Sequence, residues 1–166
     1  MTAYRHGDLA AASEGFAAAR AAYDLAGDRP KAAEMANNQC VALVSLGRGA
    51  EAVRVVEGTA QVFAEAGDRV MAAKATGNLA AALEAAGRLE EAASAYDQAL
   101  QEFHRAGDRT SEAETWQAFS RLQLRRGDAL GAAASAQAAL DLAPRPGPFR
   151  RLLRTITAKA FRLPKA

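Results

Sequence analysis

A single cysteine, Cys40, in 166 residues leaves no intramolecular disulfide framework and is compatible with a reducing compartment. Histidine is almost as scarce. His6 and His104 stand alone, neither with a second ligand at the i+4 spacing of a helical metal site, so no metal site is expected. Glycines occur singly at turns, never as a loop able to cradle phosphate, and no constellation for chemistry appears. No run of about 18 uncharged apolar residues exists, which excludes a membrane-spanning helix. Asp8 and Glu14 interrupt the apolar run a signal peptide would need. These absences predict a cytoplasmic protein that is not an enzyme and carries no cofactor.

Only 6% of residues are aromatic, and of the five prolines three (Pro144, Pro146 and Pro148) fall in one short stretch. What dominates instead is alanine, the best helix former and small enough to let helix backbones approach. The body ahead of the prolines therefore reads as all-helical. The formal net charge of +2 is unevenly spread. Residues 145–166 carry Arg145, Arg150, Arg151, Arg154, Lys159, Arg162 and Lys165 and no acid, leaving an acidic body with a basic tail.

The four letters AGDR stand at residues 26–29, 66–69 and 106–109. A second glycine series, Gly7, Gly47, Gly87 and Gly127, interleaves with Gly27, Gly67 and Gly107, so that a glycine falls every twenty residues. Between glycines the apolar residues recur at three and four. Leu89, Ala92, Tyr96, Ala99, Leu100 and Phe103 form one such stripe, and Ala73, Thr76, Leu79, Ala80 and Leu83 another. Glycine can end one helix in the left-handed conformation, and aspartate can cap the next. Pro30 suits the first turn of the helix after Asp28. An alternative role for Asp28, Asp68 and Asp108, as a metal or acid–base set, conflicts with their placement on successive turns. The spacing predicts helices at 9–25, 30–46, 49–65, 70–86, 89–105, 110–126 and 129–142, paired into forty-residue units that must stack to bury their apolar faces.

This pattern resembles the tetratricopeptide repeats. Trp116, Phe119, Gly127, Ala132 and Pro144 fall at that family's spacings, as do Leu79, Leu83, Gly87, Leu89, Ala92, Tyr96 and Ala99. Leu43, Gly47, Ala52 and Val56 give a weaker unit, and Gly7, Leu9, Ala12 and Phe16 a half-unit. The forty-residue period departs from the usual thirty-four and is similar to the lengthened repeats of kinesin light chains and bacterial signalling proteins. The resemblance implies a right-handed α–α superhelix of about three and a half repeats. Its parts would be a half-repeat helix at 1–26, repeats at 27–66, 67–106 and 107–144, and a basic capping helix or tail at 145–166.

The resemblance also implies a function: a scaffold that binds a peptide or partner segment along a concave wall made by the first helix of each pair. Carried over residue by residue, that wall presents Asn37, Asn38 and Val41, then Lys74, Gly77 and Asn78, then Gln117, Arg121 and Arg125. Glu34, Val44, Ser45, Ala81, Glu84, Glu114 and Leu124 complete it. Asn38 and Asn78 occupy equivalent places, and amide side chains can pair with a peptide backbone without reading its side chains. The other reading is that each asparagine bridges neighbouring helices. Gly77 either opens space for a ligand backbone or is simply tolerated by the packing. Arg121 and Arg125 favour an acidic ligand unless Glu114 pairs with one of them. Val41, Glu114 and Ala118 stand where a two-carboxylate clamp needs other residues, so recognition of a chaperone's acidic C-terminus is not expected. Trp116 is expected to pack rather than stack on a ligand, and Cys40 to be a small buried hydrophobe.

Two alternatives come from the ends of the chain. Gly7 follows only six residues, too few for a partner helix beside the face carrying Leu9 and Phe16; either the chain is a fragment of a larger regulator, or that face docks a second copy or another protein. Beyond Pro148, Phe149, Leu152, Leu153, Ile156 and Ala160 form an apolar stripe opposite arginines. That stripe suits a helix capping the solenoid. Contact of the basic face with nucleic acid or an anionic membrane is the weaker reading.

Overall fold

The structure, a computed structural model, describes residues 8–142. Every regular element among them is an α-helix. They are α1 (Leu9–Leu25), α2 (Arg29–Ser45), α3 (Gly49–Val56), α4 (Thr59–Glu65), α5 (Arg69–Ala85), α6 (Leu89–Ala106), α7 (Arg109–Arg125) and α8 (Ala129–Leu142). The expectations for His6 and for the tail at 145–166 lie outside the described residues.

The helix boundaries follow from backbone chemistry at the turns. Gly27, Gly67 and Gly107 all have φ between 70° and 79°, a conformation that admits glycine without strain. The next residue but one is already helical, and the aspartate between accepts its free N–H groups. Asp28 accepts from the Lys31 amide at 3.1 Å, Asp68 from Met71 at 2.9 Å and Asp108 from Ser111 at 3.1 Å. Asp8 and Asp128 cap α1 and α8 in the same way. At the remaining two turns Arg48 and Arg88 replace the aspartate and provide no side-chain cap. There each guanidinium grips a glutamate three residues on, Arg48 with Glu51 and Arg88 with Glu91, through paired contacts of 2.6 and 2.7 Å.

One predicted element is corrected. The helix expected at 49–65 is two helices, α3 and α4, broken at Glu57–Gly58. Glu57 is extended (φ −55°, ψ 132°) and Gly58 is left-handed (φ 79°). Gly58 belongs to neither twenty-residue glycine series, and helix-interior glycine weakens a helix by about 1 kcal/mol relative to alanine. The Thr59 hydroxyl donates to the Val56 carbonyl at 2.7 Å and so satisfies an end of α3 that the break would otherwise leave open.

Apart from α3 and α4, each helix packs on its neighbours in the chain; α2 also meets α4 and α5, α3 packs on α5, and α5 meets α7. The helices that open successive forty-residue units therefore lie beside one another. The largest core cluster joins Cys40 and Leu43 of α2, Val53 and Val56 of α3, Leu83 of α5, Tyr96 of α6 and Leu122 of α7. A second gathers Ala33, Phe63, Ala72 and Ala75. Burying a side chain such as Leu43 or Phe63 contributes about 1.5–3 kcal/mol, and no single unit holds enough of them to stand alone. Alanine at 52, 82, 92 and 99, each fully buried, sets how closely the helices approach. Gly49 goes further. A Cβ there would fall on the backbone of Ala85 and Ala86, 2.7 Å from the Ala85 carbonyl oxygen, so α3 starts directly against the end of α5.

Candidate cleft between the first helices

α5 and α7 do not close fully on each other. Between them lies an open cleft of about 310 Å³. Lys74, Gly77, Asn78 and Ala81 form one wall, at the i, i+3, i+4, i+7 spacing that puts four residues on one face of α5. Ser111, Glu114, Thr115 and Ala118 form the other wall at the same spacing on α7. Tyr96 and Phe103 of α6 lie across the floor, buried but for their edges on the cleft.

Several lining groups are fixed by their own partners. Thr115 donates its hydroxyl to the Ser111 carbonyl at 2.7 Å, and Ser111 donates to Asp108 at 2.8 Å. Tyr96 donates to Glu84 at 3.1 Å, and the other carboxylate oxygen of Glu84 takes Arg125 at 2.8 Å. Burial first, then the Glu84 charge, holds the Tyr96 phenol protonated far above its usual range. The Lys74 ammonium and the Glu114 carboxylate stand exposed on opposite walls, with no hydrogen bond to other described residues.

The residues predicted for a binding wall separate into groups. Lys74, Gly77 and Asn78 line the cleft together. Asn37 does not. It is 5% exposed, donates to the Ala33 carbonyl at 2.9 Å and accepts from Asn78 Nδ2 at 3.1 Å. The amide ladder therefore runs between residues 41 apart and bridges α2 to α5, while Asn38, the residue in exact repeat phase with Asn78, is half-exposed beside it. A forty-residue count could not find this, because the pairing crosses the phase by one residue. Val41, Gln117 and Arg121 are exposed but do not line the cleft. Arg125 pairs with Glu84, not with Glu114. Leu9 and Phe16 of α1 are both half-exposed.

Gly77 lies in the cleft wall without steric need for glycine: the nearest atom to an added Cβ is the Ala99 Cβ, at 4.0 Å. Trp116 packs by Phe119, ring centres 6.2 Å apart. Cys40 is 1% exposed, its thiol against the Asn78 carbonyl at 3.6 Å, and burial pushes its pKa up to about 12. It stays a thiol at neutral pH, unsuited to act as a nucleophile. His104 contacts Glu112 at 3.2 Å, and among the described residues no three metal-ligating side chains converge. No described helix is long and apolar enough to cross a membrane. On α7 sequence reasoning named Glu114 and Ala118 but missed Ser111 and Thr115, because these two are unremarkable in type and gain meaning only from facing Lys74 and Asn78.

Comparison with protein-family models and with curated proteins finds no match to the chain.

Proposed function

We propose that the chain is a non-enzymatic scaffold of tetratricopeptide type, stacked as a right-handed superhelix, that holds an extended peptide segment in the cleft between α5 and α7. The observation that carries this reading is the cleft itself: two helix faces at matched spacing over an aromatic floor, with the exposed Lys74 ammonium and Glu114 carboxylate on facing walls. Such a groove offers a peptide an apolar base and charges of both signs at its rims. On the α5 wall the Asn78 side-chain amide is held by the hydrogen bond that its Nδ2 donates to Asn37 Oδ1. Self-association through Leu9 and Phe16 draws less support, because both side chains are already partly covered by the rest of the fold.

Gly77→Leu is the clean probe. The new side chain grows from open space into the cleft, on a helix that gains by losing glycine. Linear peptides selected from a random library on the full chain should bind Gly77→Leu at least about tenfold more weakly, a loss of roughly 1.4 kcal/mol. Circular dichroism should show the helices intact. Selected peptides that bind the variant as tightly as the parent would refute the cleft as their site.

A further inference from the structure

The repeat supplies its own control for the charges in the α5–α7 cleft. In α2, Glu34 is closed off by Lys31 three residues before it, Nζ to Oε2 at 2.8 Å. The same two places hold Met71 and Lys74 in α5, and Ser111 and Glu114 in α7. Methionine offers an ammonium no ionic partner, and the Ser111 hydroxyl is donated to Asp108 at 2.8 Å. The local pair that neutralises Glu34 is therefore lost at Lys74 and Glu114, which line the cleft from opposite walls. Asp108 feels the Lys74 charge, but both of its oxygens already accept from Ser111, at 3.1 and 2.8 Å.

The floor divides the cleft along its length. Phe103 packs with Ala73, next to Lys74 in α5, whereas Tyr96 donates to Glu84 near the other end of that helix. Toward the Tyr96 end the lining is made of small residues, Gly77, Ala81 and Ala118. At the places of Gly77 and Ala81, α2 carries the larger Asn37 and Val41. One end of the cleft thus presents both signs of charge, and the other presents room over an aromatic ring. Helical rise puts Ala118 about 6 Å beyond Glu114 and Ala81 about 10 Å beyond Lys74, roughly two or three residues of extended chain. Successive side chains of an extended chain point to opposite sides, so two consecutive residues reach opposite walls. A ligand of one sign would be attracted by one wall and repelled by the other, whereas a pair of opposite signs is attracted by both.

We propose that the cleft takes an extended segment in which an acidic and a basic residue are adjacent, the acid meeting Lys74 and the base meeting Glu114. A large apolar side chain about two or three residues along fills the end between Gly77, Ala81 and Ala118. This rests on the reading of the cleft as a peptide site and adds what that peptide must contain.

Linear peptides selected from a random library on the full chain test it. The expected binders carry the adjacent acid and base, with the apolar residue at the stated spacing. A synthetic binder should lose at least about fivefold in affinity on Lys74→Glu, where an attraction becomes a repulsion, and should weaken as salt is raised. On Lys74→Glu/Glu114→Lys, the same peptide with its acid and base exchanged should bind at least about fivefold more tightly than the original order. Both side chains are exposed, so the helices should stay intact by circular dichroism. Should Lys74→Glu nonetheless unfold, Lys74→Met carries the comparison and should also weaken binding. Gly77→Leu separates the site from its specificity. If it weakens binding while the selected peptides show no charge pairing, or while Lys74→Glu leaves their affinity unchanged, the site stands and this inference is overturned. If Gly77→Leu changes nothing, the peptides lie elsewhere and both readings fall.

Discussion

A methyl group tells Gly49 and Gly77 apart. At Gly49 it would strike the backbone of Ala85 and Ala86, which cannot yield as a side chain can. At Gly77 it would meet only the Ala99 methyl at an ordinary 4.0 Å. Gly49→Ala should therefore destabilise the fold by about 1–3 kcal/mol, the usual range for overpacking. Gly77→Ala should stabilise it by up to about 1 kcal/mol through helix propensity. Urea denaturation of the two variants would show midpoints moving in opposite directions; a stable Gly49→Ala would mean that α3 does not abut α5. Neither sign was legible in the sequence, where both are simply glycines inside a helical stretch. Asp108, by contrast, announced itself through the repeat. The Ser111 amide, then the Ser111 hydroxyl and the Lys74 charge, hold its carboxyl below the usual range. Because the folded pKa is the lower one, its contribution is complete above the unfolded value near 4 and disappears as pH falls through the folded value. Asp108→Ala should cost about 1 kcal/mol at pH 7 as a lost cap, and the gap between variant and parent should narrow toward pH 3. A gap independent of pH would contradict this account of the cap.

Between α3 and α4 the break at Glu57–Gly58 is the largest departure from the helices the glycine rhythm predicts. The rhythm located the other ends because each glycine in the two series stands beside a residue that starts the next helix. It passed over Gly58, an extra glycine in mid-element, because helix interiors tolerate glycine at modest cost. The structure shows that here it turns the chain at φ 79° with no neighbour within 4 Å of an added Cβ. The penalty for any other residue is thus one of backbone conformation alone. Gly58→Ala should lower stability by about 1–2 kcal/mol, and Gly58→Asn by less, since asparagine enters the left-handed region more readily. Thermal melts of the pair would decide the matter, and an alanine variant at least as stable as the parent would mean that 49–65 can run as one helix.

At the scale of the whole molecule, the described helices bury themselves against neighbours one to three places along the chain and leave a gap where the unit-opening helices α5 and α7 stand side by side. The all-helical character, most helix ends and the four α5 residues of the cleft were legible, because periodicity and turn chemistry are local. Ser111 and Thr115 of α7, the Asn37–Asn78 bridge and the Arg125–Glu84 pair were not, because they depend on how far adjacent units are offset. The most direct measurement is backbone amide NMR of the full chain titrated with a library-selected peptide. Shifts concentrated on Lys74, Gly77, Asn78, Ala81, Ser111, Glu114, Thr115 and Ala118 are the predicted result. Shifts confined to α1, or to faces away from the α5–α7 cleft, would contradict it.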